Sequence, residues 1–248
     1  MKNRLGIDIF EHSSSKNIKQ INNIIGHFFN LKEPMYFKMN SDDYRDVVVA
    51  AQKKLNSINI IKKTIKNISN ELFYALDTDK ILVQSLAYLR ATRPSNVKSG
   101  EFIQFHRESF FGKGMEKCFN VWTPIRGVSE KNSLNIIPLS HRIPLSKIKL
   151  KRKDSKFTKR YSAGHKIGLL YKDMIITSGV DLKKKMPLIV KNNHSAVFEC
   201  NLIHGSAENK TNKIRFSYDF RIIRKKDYNK NMFKKQNFAS GKDYFIEL

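Results

Sequence analysis

The chain has 248 residues, 40% hydrophobic and 11% aromatic, which is enough for one large domain or two small ones. Its 47 basic and 22 acidic residues give a formal charge of +25, which draws anions to the surface without naming any one of them. No apolar run is long enough to span a bilayer, MKNRLGIDIFEHSSS lacks an apolar signal core, and Cys118 and Cys200 alone make no disulfide framework, so a reduced, cytoplasmic setting is expected.

The first third reads as helical. Ile18, Ile21, Ile25 and Phe28 recur at helical spacing after a run of serines. A second helix is expected with Ser41 as its cap and acids in its first turn, where the helix dipole favours them. A third carries Ile58, Ile61, Ile65, Ile68 and Leu72 on one face. From Ile81 the texture changes to short apolar pieces separated by Gly, Pro, Ser and Asn: ILVQSLAYLRATRP, EFIQFHRESF, KCFNVWTPI, SLNIIPL, SAVFECNLI and KIRFSYDFRII. Helices followed by many short strands predict a mainly β fold, a β-barrel or jelly roll, behind an N-terminal helical buttress. With no repeat and no Gly/Ser linker, one domain is expected: a buttress over 1–80, a core over 81–224 and a basic tail over 225–248. Within the core, the polar, basic stretch 147–166 reads as an exposed insertion.

In FIQFHRESFFG, His106 and Glu108 are two residues apart, so on a strand they share one face while Arg107 takes the other. Facing inward, an imidazole and a carboxylate would be costly without a partner, and a divalent cation would satisfy both. The same residues also suit an exposed, metal-free strand face. A third ligand would have to come from the remaining histidines. His12 and His27 fall in the helical region, His165 in the basic stretch, His141 after PLS and His194 in a polar turn. His204 instead ends an apolar run and precedes Gly205 and Ser206, a strand edge suited to aiming a side chain inward. Two histidines and a carboxylate on one side of a metal form the facial triad of non-haem Fe(II) oxygenases. Further on, Arg215 and Ser217 share a strand face, and an arginine fork with a hydroxyl suits the far end of a dicarboxylate.

Together HRE, NVWTPI, NSLNIIPLSH and LIHGSAENKTNKIRFS resemble the phytanoyl-CoA dioxygenase family, from Phe102 to Arg221, with the HGS-to-arginine run the most specific part. The resemblance implies a double-stranded β-helix and an Fe(II)/2-oxoglutarate-dependent oxygenase that uses O2, releases succinate and CO2 and hydroxylates a C–H bond. It implies that His106, Glu108 and His204 bind iron. Arg215, helped by Ser217, would bind the distal carboxylate of 2-oxoglutarate, with Asn120 and Thr123 lining the same pocket. Ser140 and His141 match a structural turn. Two departures stand out: Glu108 where the family usually has aspartate, and Asn193-His194 where a Gly-Asp pair is frequent.

The substrate side is less legible. Arg90, Arg93, Arg107 and the stretch 147–166 are basic groups that could face the barrel mouth. That arrangement would suit a small anionic metabolite such as a sugar, a nucleotide-linked sugar or a natural-product intermediate. The competing expectation is an inactive jelly roll that binds nucleic acid through basic, aromatic-bearing stretches such as KRKDSKFTKRY.

Overall fold

The computed structural model describes residues 5–94, 103–110, 112, 114–152, 174–233 and 243–248. Most of the basic stretch, 153–166, lies outside the described residues, as does 234–242 of the C-terminal segment.

The isoleucine stripes become helices. α1 (Lys16–Phe28) buries Ile18, Ile21 and Ile25, and a short α2 (Glu33–Lys38) leads into α3 (Ser41–Ser57). α4 (Ile60–Leu76) buries Ile61, Ile65, Ile68 and Leu72. Two details depart from expectation. Asn40 rather than Ser41 caps α3, its side-chain oxygen accepting from the N–H groups of Asp42 and Asp43 at 3.0 and 2.9 Å. Such a cap contributes about 1 kcal/mol. Ile58 falls between α3 and α4, because Asn59 adopts φ 55° and breaks the helical run.

The large sheet runs β1 (Ile7–Glu11), β9 (His194–Glu199), β4 (Cys118–Arg126), β11 (Arg215–Arg224), β2 (Ile81–Gln84), β12 (Phe245–Glu247), with β3 (Tyr88–Thr92) also paired to β11. A second sheet orders β10 (His204–Ser206), β5 (Leu134–Ile136) and β8 (Met186–Pro187), and β6 (Lys149–Arg152) pairs with β7 (Met174–Ser178). The strand pairings described are antiparallel.

One face of the large sheet sends Val121, Phe216, Tyr218 and Phe220 against Ile21, Ile25, Leu55, Ile65 and Leu72 of the helices. The opposite face sends Trp122 and Phe198 towards Ile136 and Leu188 of the small sheet. This is the jelly roll expected from the sequence, with the helices covering one side of it. β4 and β11 are buried on both faces, so polar residues at alternate positions must find partners inside the sandwich.

Several boundaries differ from the sequence expectation. IDIFE is a strand, paired to β9, ahead of the helices. SAVFECNLI is not one strand: β9 ends at Glu199, and His204 begins a strand of the other sheet. The C-terminal segment is not simply a basic tail, since Tyr244 and Phe245 are buried and Phe245–Glu247 extends the large sheet. Asn193, in the turn where the family often has Gly-Asp, takes φ 63° and donates from Nδ2 to His12 O at 3.0 Å. Asparagine is one of the few residues that tolerate this left-handed conformation.

Candidate metal centre

His106 and Glu108 do not share a strand face. His106 forms a single antiparallel bridge with His204, each N–H donating to the other's carbonyl at 2.9 Å. The chain then turns at once. Glu108 opens a 3-10 turn, Glu108–Phe110, and its N–H donates to Cys200 O at 2.9 Å. The bridge sets the two imidazoles 4.4 Å apart, and the turn brings the Glu108 carboxylate to them. The H-x-E spacing therefore works through a bridge and a turn, not through a pleat.

His204 is fixed from both sides in sequence. Ser140 Oγ accepts from the Ile203 N–H at 2.7 Å, which gives the Pro-Leu-Ser-His turn a structural task. After it, a Cβ on Gly205 would come 3.0 Å from Phe105 N and 3.1 Å from Ile103 O, so the bridging segment could not approach this closely. His141 packs over Gly6, and its ring is no part of the centre.

The three side chains offer donor atoms within 4.8 Å of one another, all buried, the one such cluster among the described residues. Nδ1 of His106 lies 2.7 Å from Gln104 O, and Nδ1 of His204 lies 2.9 Å from Leu202 O. A carbonyl only accepts, so each Nδ1 carries the proton and each Nε2 keeps its lone pair for a metal. Those Nε2 atoms lie 3.8 and 3.9 Å from Glu108 Oε1. Burial, then the neighbouring His106, push His204 down to about 3, so its ring is neutral at ordinary pH. Burial alone would raise the Glu108 carboxyl, but Arg221, His106 and His204 outweigh it and hold it well below the usual carboxylate range. Two imidazoles presenting Nε2 and one carboxylate form a donor set that fits a divalent iron-type cation.

A cavity of about 160 Å³ extends from these three residues to Arg215. Arg215 is 2% exposed; Nη1 donates to Asn132 O at 3.1 Å and Nη2 to Thr92 Oγ1 at 2.9 Å, which fixes the plane of the fork. Asn120 lines the cavity, and its Nδ2 is buried without a hydrogen-bond partner among the described residues. Ser217 lies on the Arg215 face with its Oγ also buried and unpartnered, although the cavity wall does not include it. An unpaired amide donor in the cavity wall beside an arginine fork suits a bound carboxylate, so the residues present fit 2-oxoglutarate.

Thr123 is a correction. The period-two rule that sends Asn120 and Trp122 to the cavity sends Thr123 to the helical side. There its Oγ1 lies 2.6 Å from Ser195 Oγ, and it does not line the cosubstrate pocket. Arg93 and Arg107 are corrections too. Arg93 donates to Tyr36 O and Met39 O and stacks on Tyr44, while Arg107 donates to Ile143 O; both hold backbone. Arg90 does line the cavity, bound to Asp219 at 2.6 and 3.0 Å.

Sequence reading overlooked Asp219, Arg221, Trp122 and Phe198, all in the cavity wall. The signal for two of them was present: the alternation joining Arg215 to Ser217 continues to Asp219 and Arg221. Tyr44, Arg45 and Val48 of α3 also line the cavity, and no local pattern distinguishes them from packing residues.

A family model described as phytanoyl-CoA dioxygenase (PhyH) matches residues 29–217. No curated protein matches the chain by sequence. Solved structures that share the fold include the following three. EvdO2 from Micromonospora carbonacea var. aurantiaca is 12% identical, over 99% of this chain and 89% of that one, with a TM-score of 0.56. The epimerase SnoN, described in complex with Fe3+, alpha ketoglutarate and nogalamycin RO, is 11% identical over 98% and 90%, with a TM-score of 0.52. The non-heme monooxygenase ThoJ in its apo form is 10% identical over 89% and 75%, with a TM-score of 0.55.

Proposed function

This chain belongs to the phytanoyl-CoA dioxygenase family of Fe(II)/2-oxoglutarate-dependent non-haem oxygenases, and on that premise we propose that it hydroxylates a C–H bond of a small anionic metabolite. His106, Glu108 and His204 are the proposed iron ligands. The observation that carries this assignment is the pinning of both Nδ1 atoms on backbone carbonyls, which leaves two Nε2 lone pairs facing one carboxylate.

Iron and 2-oxoglutarate, when bound, supply with O2 the oxidising chemistry that yields succinate, CO2 and an oxidised substrate. The protein's own part is binding and exclusion. Arg215 holds the distal carboxylate through its fork, with Asn120 Nδ2 as a further donor on the same wall. Trp122, Phe198 and Leu134 give the cavity apolar walls that keep bulk water from the reacting centre.

An anionic substrate is supported by the cavity's charge. Arg45, Arg90, Arg215 and Arg221 line it against Glu108 and Asp219. Both acids already face arginine, Glu108 on Arg221 and Asp219 on Arg90. With Arg215 assigned to the cosubstrate, Arg45 is the wall's remaining cation; its partner Asp42, at 2.6 Å, is solvent-exposed and outside the wall, so Arg45 is the group left to meet a negatively charged molecule.

The test is anaerobic titration of apo-protein with Fe(II) and 2-oxoglutarate, followed by the weak visible charge-transfer band of the chelate. The band should form in the wild type and vanish in Glu108→Ala and His204→Ala. Wild-type bands in those variants would remove the ligand assignment. Single-stranded DNA or RNA should leave the band unchanged. Tight, steeply salt-dependent nucleic-acid binding by a protein that forms no band would favour the binding-protein reading instead.

A further inference from the structure

The geometry points to Arg221 as the residue that positions the metal-binding carboxylate, an inference that rests on the reading of Glu108 as a ligand. Glu108 Oε1 is the atom that faces both histidine Nε2 atoms, and it also accepts from Arg221 Nη2 at 2.6 Å. One oxygen therefore looks to the metal position on one side and is held by a guanidinium on the other. The pair is out of water, Glu108 at 3% and Arg221 at 9% exposure. A buried carboxylate without a counter-charge is costly and free to swing to other donors. Arg221 keeps this one charged and aimed before any metal arrives.

Arg221 is itself braced from behind. Its backbone N–H donates to Gln84 Oε1 at 3.0 Å, and Nη1 donates to Gln84 Oε1 at 3.3 Å and to Tyr244 Oη at 3.1 Å. Tyr244 directly precedes β12, so the added C-terminal strand carries one of the groups that fix the metal ligand's partner. The same geometry accounts for glutamate at this position. From its 3-10 turn the longer side chain reaches the histidine pair and Arg221 with one oxygen. Aspartate, one methylene shorter, would give up one of those contacts. Arg221 is thus a positioning residue that acts through Glu108.

The test is Mn(II) affinity of the apo-protein without cosubstrate, measured calorimetrically or by paramagnetic resonance. Arg221→Met should weaken Mn(II) binding roughly 10–100-fold, as losing a group that orients a ligand does. Arg221→Lys should recover part of the loss, because it keeps the charge but not the planar fork. In a Glu108→Ala background, Arg221→Met should add no further loss, since its effect passes through Glu108. Unchanged or tighter binding in Arg221→Met would overturn the inference, and so would an equal loss in both backgrounds, which marks a general structural role. Glu108→Asp leaves the bracing of Arg221 intact and should also bind Mn(II) about 10-fold or more weakly; wild-type affinity there would count against the clamp even if Arg221 variants failed to fold. Wild-type Mn(II) binding by Glu108→Ala would instead remove the ligand reading beneath it.

Discussion

Replacing Arg215 by alanine tests how the cavity holds its cosubstrate. The guanidinium has five N–H donors, and the fold uses Nη1 on Asn132 O and Nη2 on Thr92 Oγ1. A carboxylate meeting the fork gains two charge-assisted bonds, each about 1.5–3 kcal/mol. Their sum, about 3–6 kcal/mol, corresponds to roughly a hundred- to ten-thousandfold in affinity at 1.4 kcal/mol per tenfold. Arg215→Ala should therefore raise the apparent KM for 2-oxoglutarate by about two orders of magnitude or more. Arg215→Lys, a point charge without the fork, should lie between. Leaving Thr92 and Asn132 O without their donor should also lower stability by about 1–3 kcal/mol, so melting must be followed alongside. The assay is succinate release in substrate-independent turnover across a 2-oxoglutarate series, with Mn(II) affinity of the apo-protein as control. An unchanged 2-oxoglutarate dependence, or a loss that tracks metal affinity instead, would refute the reasoning.

The two faces of β4 should separate cleanly: Asn120→Ala should raise the KM for 2-oxoglutarate up to about tenfold, whereas Thr123→Val should leave it unchanged and cost about 1–2 kcal/mol of stability, measured by denaturant unfolding. Stability of the apo-protein should also fall with acid. His204 is pushed down to about 3 and His12 to about 4, each from 6.5 and each mainly by burial, so below pH 6.5 the unfolded chain binds more protons than the folded one. Glu108, held low when folded, acts in the same sense, its stabilisation being lost as pH falls through that low value. The melting temperature should drop steadily from pH 6.5 to 4, with a limiting slope of about 1.4 kcal/mol per pH unit for each imidazole, and His12→Gln should flatten it. A flat wild-type profile would contradict the burial of these rings.

The helices were legible because helical burial is a periodic, local property: Ile21, Ile25, Ile65 and Leu72 show their face within a few turns of chain. Short, evenly punctuated strands left a barrel or a jelly roll, and the resemblance to a family carried by HRE, HGS and Arg215 pointed to the jelly roll and to the centre. Three-dimensional structure decided what depends on pairing between distant segments. Whether Glu108 meets the histidines through a pleat or a turn depends on where the bridge to His204 stops, and nothing in FIQFHRESFFG encodes that stop. Asn120 and Thr123 are three apart on one strand, so alternation alone puts them on opposite faces, but which of them faces inward is set by what packs on the strand. Arg93, Arg107 and Arg221 look alike along the chain. Burial and partners separate them: backbone carbonyls for the first two, and for the third the carboxylate proposed to hold iron. A charge's role is set by the groups that replace its water, and those are chosen by the fold.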